Sequence, residues 1–261
     1  MLRIPIMDAA GTPTWPDVFG TDKINEIRTI VGERHFSSQM MLNFVPMDGV
    51  RLDPEKIKFY DDDFDSDHAR IGNWPINAAC VYWDPSSAGR GHDGSVCVIL
   101  YRDDISRHVF IHDVMYMSPP ENIPSPITWQ CGTILNLMSR YQMRRIAIET
   151  NGIGGTLPEI MRSIARARGI GVVIDPVSNH TNKEIRICDA IEPLLGSGRM
   201  HAHTRITKTQ LLPEMIGWTP NGATHDDGLD AVAGAISCRP MPVRATCNTP
   251  TTIYANTEFN L

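Results

Sequence analysis

Three apolar segments follow one another between residues 77 and 117, and they constrain the fold more than any other feature. They are NAACVYW (77–83), GSVCVILYR (94–102) and HVFIHDVMYM (108–117). Each is rich in β-branched and aromatic residues, as strands are, and turn-forming residues separate them. The short connection RDDISR predicts a hairpin between the second and third segments. This part of the chain therefore predicts an antiparallel meander of three strands.

Strands that alternate with helices follow this meander. The strands are RRIAIE (144–149) and GVVID (171–175). The predicted helices cover about 127–142, a segment that opens at Thr156 with a Thr-x-x-Glu capping pattern, about 182–195 and about 225–238. A meander followed by crossover strands predicts an α/β fold with a mixed sheet flanked by helices. The order β-β-β-α-β-α-β-α is that of the ribonuclease-H-like fold.

Two segments lie outside this block of elements. Residues 1–75 are rich in Pro, Asp and Gly and contain one convincing helix, near residues 21–32, whereas residues 239–261 show no hydrophobic period. We therefore predict an N-terminal arm or linker over 1–75, one α/β domain over 76–238 and a flexible C-terminal tail over 239–261.

The composition disfavours several classes of protein. No run of about 18 apolar residues is present, so no transmembrane helix is expected, and the start MLRIPIMDAAGTP lacks the pattern of a secretory signal. The six cysteines lie far apart without a CxxC pair, which disfavours a zinc ribbon and predicts an intracellular protein. The formal net charge of -6 argues against binding nucleic acid through overall charge, but it allows a local basic surface.

Acidic residues fall where the predicted fold brings separate segments together. Asp84 directly follows the first strand, and Glu149 ends the fourth. If these strands are parallel neighbours, their carboxyl ends place both side chains at one edge of the sheet. The segment HDDGLDAVAGAI adds Asp226, Asp227 and Asp230 at the start of the last helix, where the first and third share one side. The pattern predicts a carboxylate cluster at this edge.

Such a cluster favours divalent metal ions. Carboxylates that lie together repel one another unless a cation binds, and Mg²⁺ and Mn²⁺ prefer oxygen ligands. Two ions about 3.5–4 Å apart can activate a water and stabilise the leaving oxygen in phosphodiester hydrolysis. Simpler interpretations stay open for single residues, with Asp84 as a turn former and Asp226 and Asp227 as charges that stabilise a helix N-terminus.

Four segments, taken in order, resemble the nuclease domain of the large terminase subunit of tailed bacteriophages. They are WDPSSAGRGHDGSV, IAIETNGIGG, NKEIRI and HDDGLDAVAGA. The earlier stretch PTWPDVFGTDKINEIRTIVGERHFSSQMMLNFVP resembles the segment that joins the packaging ATPase to that nuclease. The likeness covers residues 13 to 238, roughly. The sequence contains no GxxxxGK[ST] phosphate-binding loop, so the ATPase half of such a subunit has no counterpart in it.

The resemblance implies a metal-dependent endonuclease that cleaves concatemeric viral DNA during genome packaging, with two Mg²⁺ or Mn²⁺ ions and low sequence specificity. It implies double-stranded DNA, the terminase small subunit, the portal protein and an ATPase domain as partners, no membrane, and a location in the host cell cytoplasm. Two alternatives stay open. One is another ribonuclease-H-like nuclease, such as a junction resolvase, and the other is a non-catalytic DNA-packaging binding module.

The resemblance also implies roles for individual residues. The implied catalytic residues are Asp84, Glu149 and Asp226. The implied metal ligands are these three together with Asp227, Asp230 and Asp93. The residues expected to contact DNA are Lys183 and Arg186, which match a basic pair of the family, and Arg90 and Arg145, which are among the scattered basic residues of the chain. A solvated helix face explains the basic pair equally well.

Overall fold

The computed structural model of the protein describes residues 4–8, 11–31, 36–42, 51–86, 94–151, 155–220 and 225–246. Its strands are β1 (Lys58–Tyr60), β2 (Phe64–Asp65), β3 (Arg70–Ile71), β4 (Trp74–Pro75), β5 (Ala78–Asp84), β6 (Ser95–Asp103), β7 (His108–Met117), β8 (Arg145–Glu149), β9 (Val173–Val177), β10 (Met200–His203) and β11 (Met241–Pro242). Its α-helices are α1 (Thr21–Val31), α2 (Pro126–Arg140), α3 (Leu157–Ala167), α4 (Lys183–Gly196), α5 (Leu211–Gly217) and α6 (Asp227–Ser237). Short π- or 3-10-helical turns cover Phe36–Met40, Pro54–Lys56 and Thr204–Lys208.

Eight of the strands form one mixed sheet. Seven follow the order β1-β10-β7-β6-β5-β8-β9, and β11 pairs antiparallel with β5. The predicted meander is present as β5, β6 and β7, and β8 and β9 continue from β5 in parallel. The strands β2, β3 and β4 form a separate small sheet. The mixed sheet flanked by helices confirms the predicted fold class.

Helices cover both faces of the large sheet, so its central strand β5 is buried on both sides. Residues 78–83 of this strand are all buried. Tyr82 packs in the core with residues of α4 and α6, whereas Trp83 packs on the opposite face with residues of α2 and α3. A strand between two helical layers is apolar throughout, which explains the unbroken run AACVYW.

Helix α6 lies against the sheet at unusually close range. Residues 227–235 are all buried, although most of their side chains are small. A Cβ added to Gly234 would lie 2.3 Å from the ring of Tyr82, so this contact requires glycine. The close packing holds α6, and the acidic residues at its start, against the strand that carries Asp84.

The sheet extends beyond the bounds predicted from the sequence. β1 and β10 add two parallel strands next to β7, and β11 pairs with the start of β5. β1 falls in the segment assigned to the N-terminal arm, and β11 falls in the segment assigned to the tail. Each of these strands has four residues or fewer, which is too short for a hydrophobic period to reveal it. No helix within the described ranges has the length and apolar character needed to cross a membrane.

Candidate active site

The ends of two neighbouring parallel strands bring Asp84 and Glu149 to one edge of the sheet. β5 and β8 are parallel, and Trp83 pairs with Ile148. Asp84 and Glu149 are the next residues of the two strands and are also their last. The two acids that the sequence places on adjacent strands therefore lie side by side.

Two donors orient the buried carboxylate of Glu149. The hydroxyl of Tyr82 donates to Oε2 at 2.6 Å, and Nδ2 of Asn179 donates to the same oxygen at 2.9 Å. Nδ2 of Asn179 also lies 3.0 Å from the Tyr82 hydroxyl oxygen, which closes a three-membered network. Burial, followed by this contact with Glu149, raises the pKa of Tyr82, so the hydroxyl keeps the proton that it donates.

Lys183 lies among the three aspartates at the start of α6. Its Nζ is 2.7 Å from Oδ1 of Asp226, 3.6 Å from Oδ1 of Asp227 and 3.7 Å from Oδ2 of Asp230. Burial opposes the charge of this ammonium group, but the hydrogen bond to Asp226 and the charges of all three carboxylates outweigh it and raise the pKa of Lys183. The first turn of α4 thus supplies a permanent cation to the acidic cluster.

Two further contacts fix the buried members of the cluster. Nε of Arg186 donates to Oδ1 of Asp230 at 2.8 Å, and Nη2 of the same arginine contacts this oxygen as well. The backbone N–H of Gly94, just before β6, donates to Oδ2 of Asp227 at 2.6 Å. Asp227 therefore faces the site, although its helical position predicts a different direction from Asp226 and Asp230.

The carboxylates lie close enough to oppose one another's ionisation. Burial raises the pKa of Asp84 to about 8, and the charges of Glu149, Asp230 and Asp227 add to this effect while Lys183 opposes it. Burial also raises the pKa of Asp230, against the opposing hydrogen bond from Arg186. The cluster thus carries more negative charge than its two basic side chains compensate, and a further cation would relieve the repulsion.

The chemistry of this donor set suits a hard divalent cation. Five carboxylates from β5, β8 and α6 meet at one edge, and carboxylate oxygen is the preferred ligand of Mg²⁺ and Mn²⁺. Over the described ranges, no three His, Cys, Asp or Glu side chains are oriented to hold an ion as they stand. Lys183 and Arg186 take up oxygens of the cluster in this arrangement, so ion binding requires some of these side chains to reorient.

Three other predicted residues remain, and the structure describes one of them. Asp93 and Arg90 lie outside the described residues. Arg145 begins β8, whereas Glu149 ends it, so a strand length of about 13 Å separates them. Nη1 of Arg145 lies 3.1 Å from Oδ2 of Asp175 on β9. The structure thus gives Arg145 an ion pair away from the acidic edge.

Sequence reasoning missed two side chains that shape the site. Tyr82 belongs to an apolar strand. The composition of that strand predicts that Tyr82 is buried in the core, but it does not reveal the hydrogen bond from the hydroxyl to Glu149. Asn179 lies in the loop after β9, in VSNHT, where an asparagine is usually a turn residue. A polar residue just past a strand parallel to β8 is the signal that could have identified Asn179.

The mixed sheet, with carboxylates at the ends of its first and fourth core strands, defines a ribonuclease-H-like α/β domain. The nuclease domain of the P22 large terminase shares this fold with a TM-score of 0.50 and 14% identity, over 72% of this chain and 90% of that one. The nuclease domain of the large terminase subunit of bacterial virus Sf6, with manganese and beta-thujaplicinol, gives a TM-score of 0.49 at 11% identity, over 75% and 100%. The manganese-soaked nuclease domain of human cytomegalovirus terminase gives 0.46 at 15% identity, over 61% and 82%.

One family model matches part of this domain. Residues 84–200 match the model described as Terminase Bacteriophage T7, Ribonuclease H-like domain. This part of the chain is therefore similar to the family that the sequence motifs also indicate. A search of curated protein sequences gives no match.

Proposed function

We propose that this protein is a metal-dependent endonuclease that cleaves concatemeric viral DNA during genome packaging. The observation that carries the proposal is the meeting of Asp84 and Glu149, on adjacent parallel strands, with the three aspartates of α6. The match of residues 84–200 to a terminase ribonuclease-H-like domain supports the packaging context. Low sequence specificity is part of the proposal, because one enzyme must cut viral DNA at the ends of successive genomes.

Two divalent ions, Mg²⁺ or Mn²⁺, are the proposed cofactors. Asp84, Glu149 and Asp226 would hold them. The further candidate ligands are Asp227, Asp230 and Asp93. Two ions at such a site activate a water for attack on phosphorus and stabilise the leaving oxygen.

The chain's own residues supply orientation and charge balance. Tyr82 and Asn179 hold the carboxylate of Glu149 in one direction, which reduces the entropy lost when a ligand binds there. Lys183 offsets part of the negative charge of the aspartates of α6 in the described arrangement. Because an ammonium group and a divalent cation compete for the same oxygens, ion binding is expected to shift the Lys183 side chain.

Double-stranded DNA is the proposed substrate, and an ATPase domain, the terminase small subunit and the portal protein are the proposed partners. Lys183, Arg186, Arg90 and Arg145 remain the predicted DNA contacts. The first two form ion pairs with the acidic cluster. Lys183 and Arg186 become available to bind phosphate only when another cation binds the carboxylates in their place.

The test is cleavage of supercoiled plasmid with Mn²⁺, Mg²⁺ or EDTA, comparing the wild type with Asp84→Asn. Glu159→Gln, an exposed carboxylate on α3, is the matched control. We expect nicking and linearisation that EDTA and the Asp84 substitution abolish and the control retains. Absence of both cleavage and Mn²⁺ binding would leave the non-catalytic binding module. A strong preference for four-way junctions over linear duplex would favour the junction-resolvase alternative.

A further inference from the structure

Helix α6 begins without a side-chain cap from its own N-cap residue. The first backbone N–H groups of a helix have no partner within the helix and need an outside acceptor. Asp226 occupies the N-cap position of α6, but its side chain makes no capping hydrogen bond. Its Oδ1 instead faces Nζ of Lys183 at 2.7 Å. Asp226 thus stands at the N-cap position but forms an ion pair with Lys183 and does not cap the helix.

Glu214 on α5 supplies the missing acceptor. Its Oε2 accepts a hydrogen bond from the backbone N–H of Leu229 at 3.1 Å. Leu229 is the third residue of α6, and the N–H at this position is one that an N-cap side chain normally satisfies. Glu214, which lies on a separate helix, therefore accepts the hydrogen bond that the side chain of Asp226 does not accept.

The packing around this contact leaves little freedom. Glu214 is 7% exposed. A Cβ added to Gly228 would lie 2.7 Å from Oε2 of Glu214 and 1.8 Å from the hydroxyl of Tyr116 on β7. The start of α6 thus approaches both side chains at a distance that only glycine allows, and its position is set by α5 on one side and by the sheet on the other.

We propose that Glu214 is a positioning residue of the acidic site, because it caps α6 from outside and frees Asp226 to face the cluster. A carboxylate at a helix N-terminus also interacts favourably with the helix dipole. Within the described ranges, no Lys, Arg or His forms an ion pair with Glu214, so the N-terminus of α6 is the positive group that it faces. The expected effect on kcat rests on the proposed nuclease function, whereas the expected effect on Mn²⁺ binding does not.

The first experiment measures Mn²⁺ binding by calorimetry, together with kcat and KM on plasmid DNA, for the wild type, Glu214→Ala and Glu214→Gln. Loss of the cap lets the first turn of α6 move, so the alanine variant is expected to bind Mn²⁺ about tenfold more weakly and to lose kcat by a similar factor. KM for DNA stays unchanged, because Glu214 is buried behind the helix. The glutamine variant keeps an oxygen acceptor and restores most of both quantities.

The matched control is Met215→Ala, at the next position of α5. Met215 is fully buried, so its truncation weakens packing of the same helix but leaves the cap in place. We expect a lower Tm with Mn²⁺ affinity and kcat at the wild-type level, measured well below that Tm. If Met215→Ala loses as much affinity as Glu214→Ala, Glu214 has only a structural role and the inference is overturned.

Two further outcomes separate this inference from the proposed function. Weaker Mn²⁺ binding by Glu214→Ala, with no cleavage by any variant or the wild type, would support the positioning role and contradict the nuclease. Cleavage by the wild type, with unchanged Mn²⁺ affinity and kcat in Glu214→Ala, would support the nuclease and contradict the positioning role. If the alanine variant does not fold, Gly228→Ala tests the same contact from the helix side, and wild-type Mn²⁺ affinity in that variant would overturn the inference.

Discussion

Replacing Asp84 with asparagine, which cannot ionise, should stabilise the fold when no metal is bound. The pKa of Asp84 is raised from 3.8 to about 8 by burial and by the neighbouring carboxylates. A carboxyl whose pKa is higher in the folded state than in the unfolded chain costs stability as the pH rises from its unfolded pKa to its folded pKa. Asp84→Asn removes this cost, so its advantage over the wild type should grow between about pH 4 and pH 8 and then level off.

The size of the effect follows from the same shift. At pH 7 the unfolded chain is ionised at this position while the folded chain keeps its proton, and about three pKa units of the shift are expressed. At 1.36 kcal/mol for each unit, the upper limit is about 4 kcal/mol. Relaxation and water penetration reduce it, since buried sites behave as if their effective dielectric constant were about 20. We expect about 1–3 kcal/mol, which corresponds to a Tm increase of roughly 3–9 °C in a domain of this size.

Thermal unfolding of the wild type and Asp84→Asn in EDTA, at several pH values, measures this difference directly. Glu159→Gln, which removes an exposed carboxylate, should leave Tm almost unchanged at every pH. Millimolar Mn²⁺ should raise the Tm of the wild type more than that of Asp84→Asn, because a ligand that binds only the folded state stabilises it. A variant that is no more stable than the wild type in EDTA, or a difference that does not change with pH, would refute the reasoning.

Three further substitutions test other contacts of the site. Asn179→Ala removes one of the two donors to Glu149, and we expect kcat on plasmid DNA to fall about tenfold with little change in KM; an unchanged kcat would contradict a role for Asn179. Lys183→Met leaves the aspartates of α6 without their ammonium partner, so Tm in EDTA should fall by several degrees and Mn²⁺ should restore part of it; equal losses with and without Mn²⁺ would argue against competition for the same oxygens. Gly234→Ala inserts a Cβ against the ring of Tyr82 and should cost about 1–3 kcal/mol of unfolding free energy in urea; a neutral result would show that α6 can move away from the sheet.

The sequence predicts the parts of the site that come from long, strongly patterned elements. Asp84 and Glu149 end apolar strands, and the carboxyl ends of parallel neighbours necessarily share an edge. The aspartates of α6 begin a helix whose apolar face is evident from its spacing. The meeting of Asp84 and Glu149 therefore follows from strand order, which the run of elements predicts, and the aspartates join them because the apolar face of α6 packs on the sheet.

The partners of these acids depend on tertiary contacts that leave no local pattern. Glu214 is a single acid in the short helix α5, and its contact lies 15 residues away at Leu229. Asn179 follows β9 in a loop and meets Glu149 across the sheet edge. Lys183 and Arg186 are equally compatible with solvent, DNA or carboxylates from their helical spacing alone. Only the packing of α4 against α6 selects the carboxylates.

Two of the neighbours of Tyr82 belong to different parts of the site. One is Gly234, whose missing side chain lets α6 rest directly on the ring. The other is Glu149, which accepts a hydrogen bond from the hydroxyl at the ring's far end. A single aromatic side chain therefore sets the distance between helix α6 and the sheet and also orients the carboxylate of Glu149 on β8. The distance between α6 and the sheet and the orientation of the Glu149 carboxylate thus depend on the same side chain. A change of residue size at position 82 would alter both together.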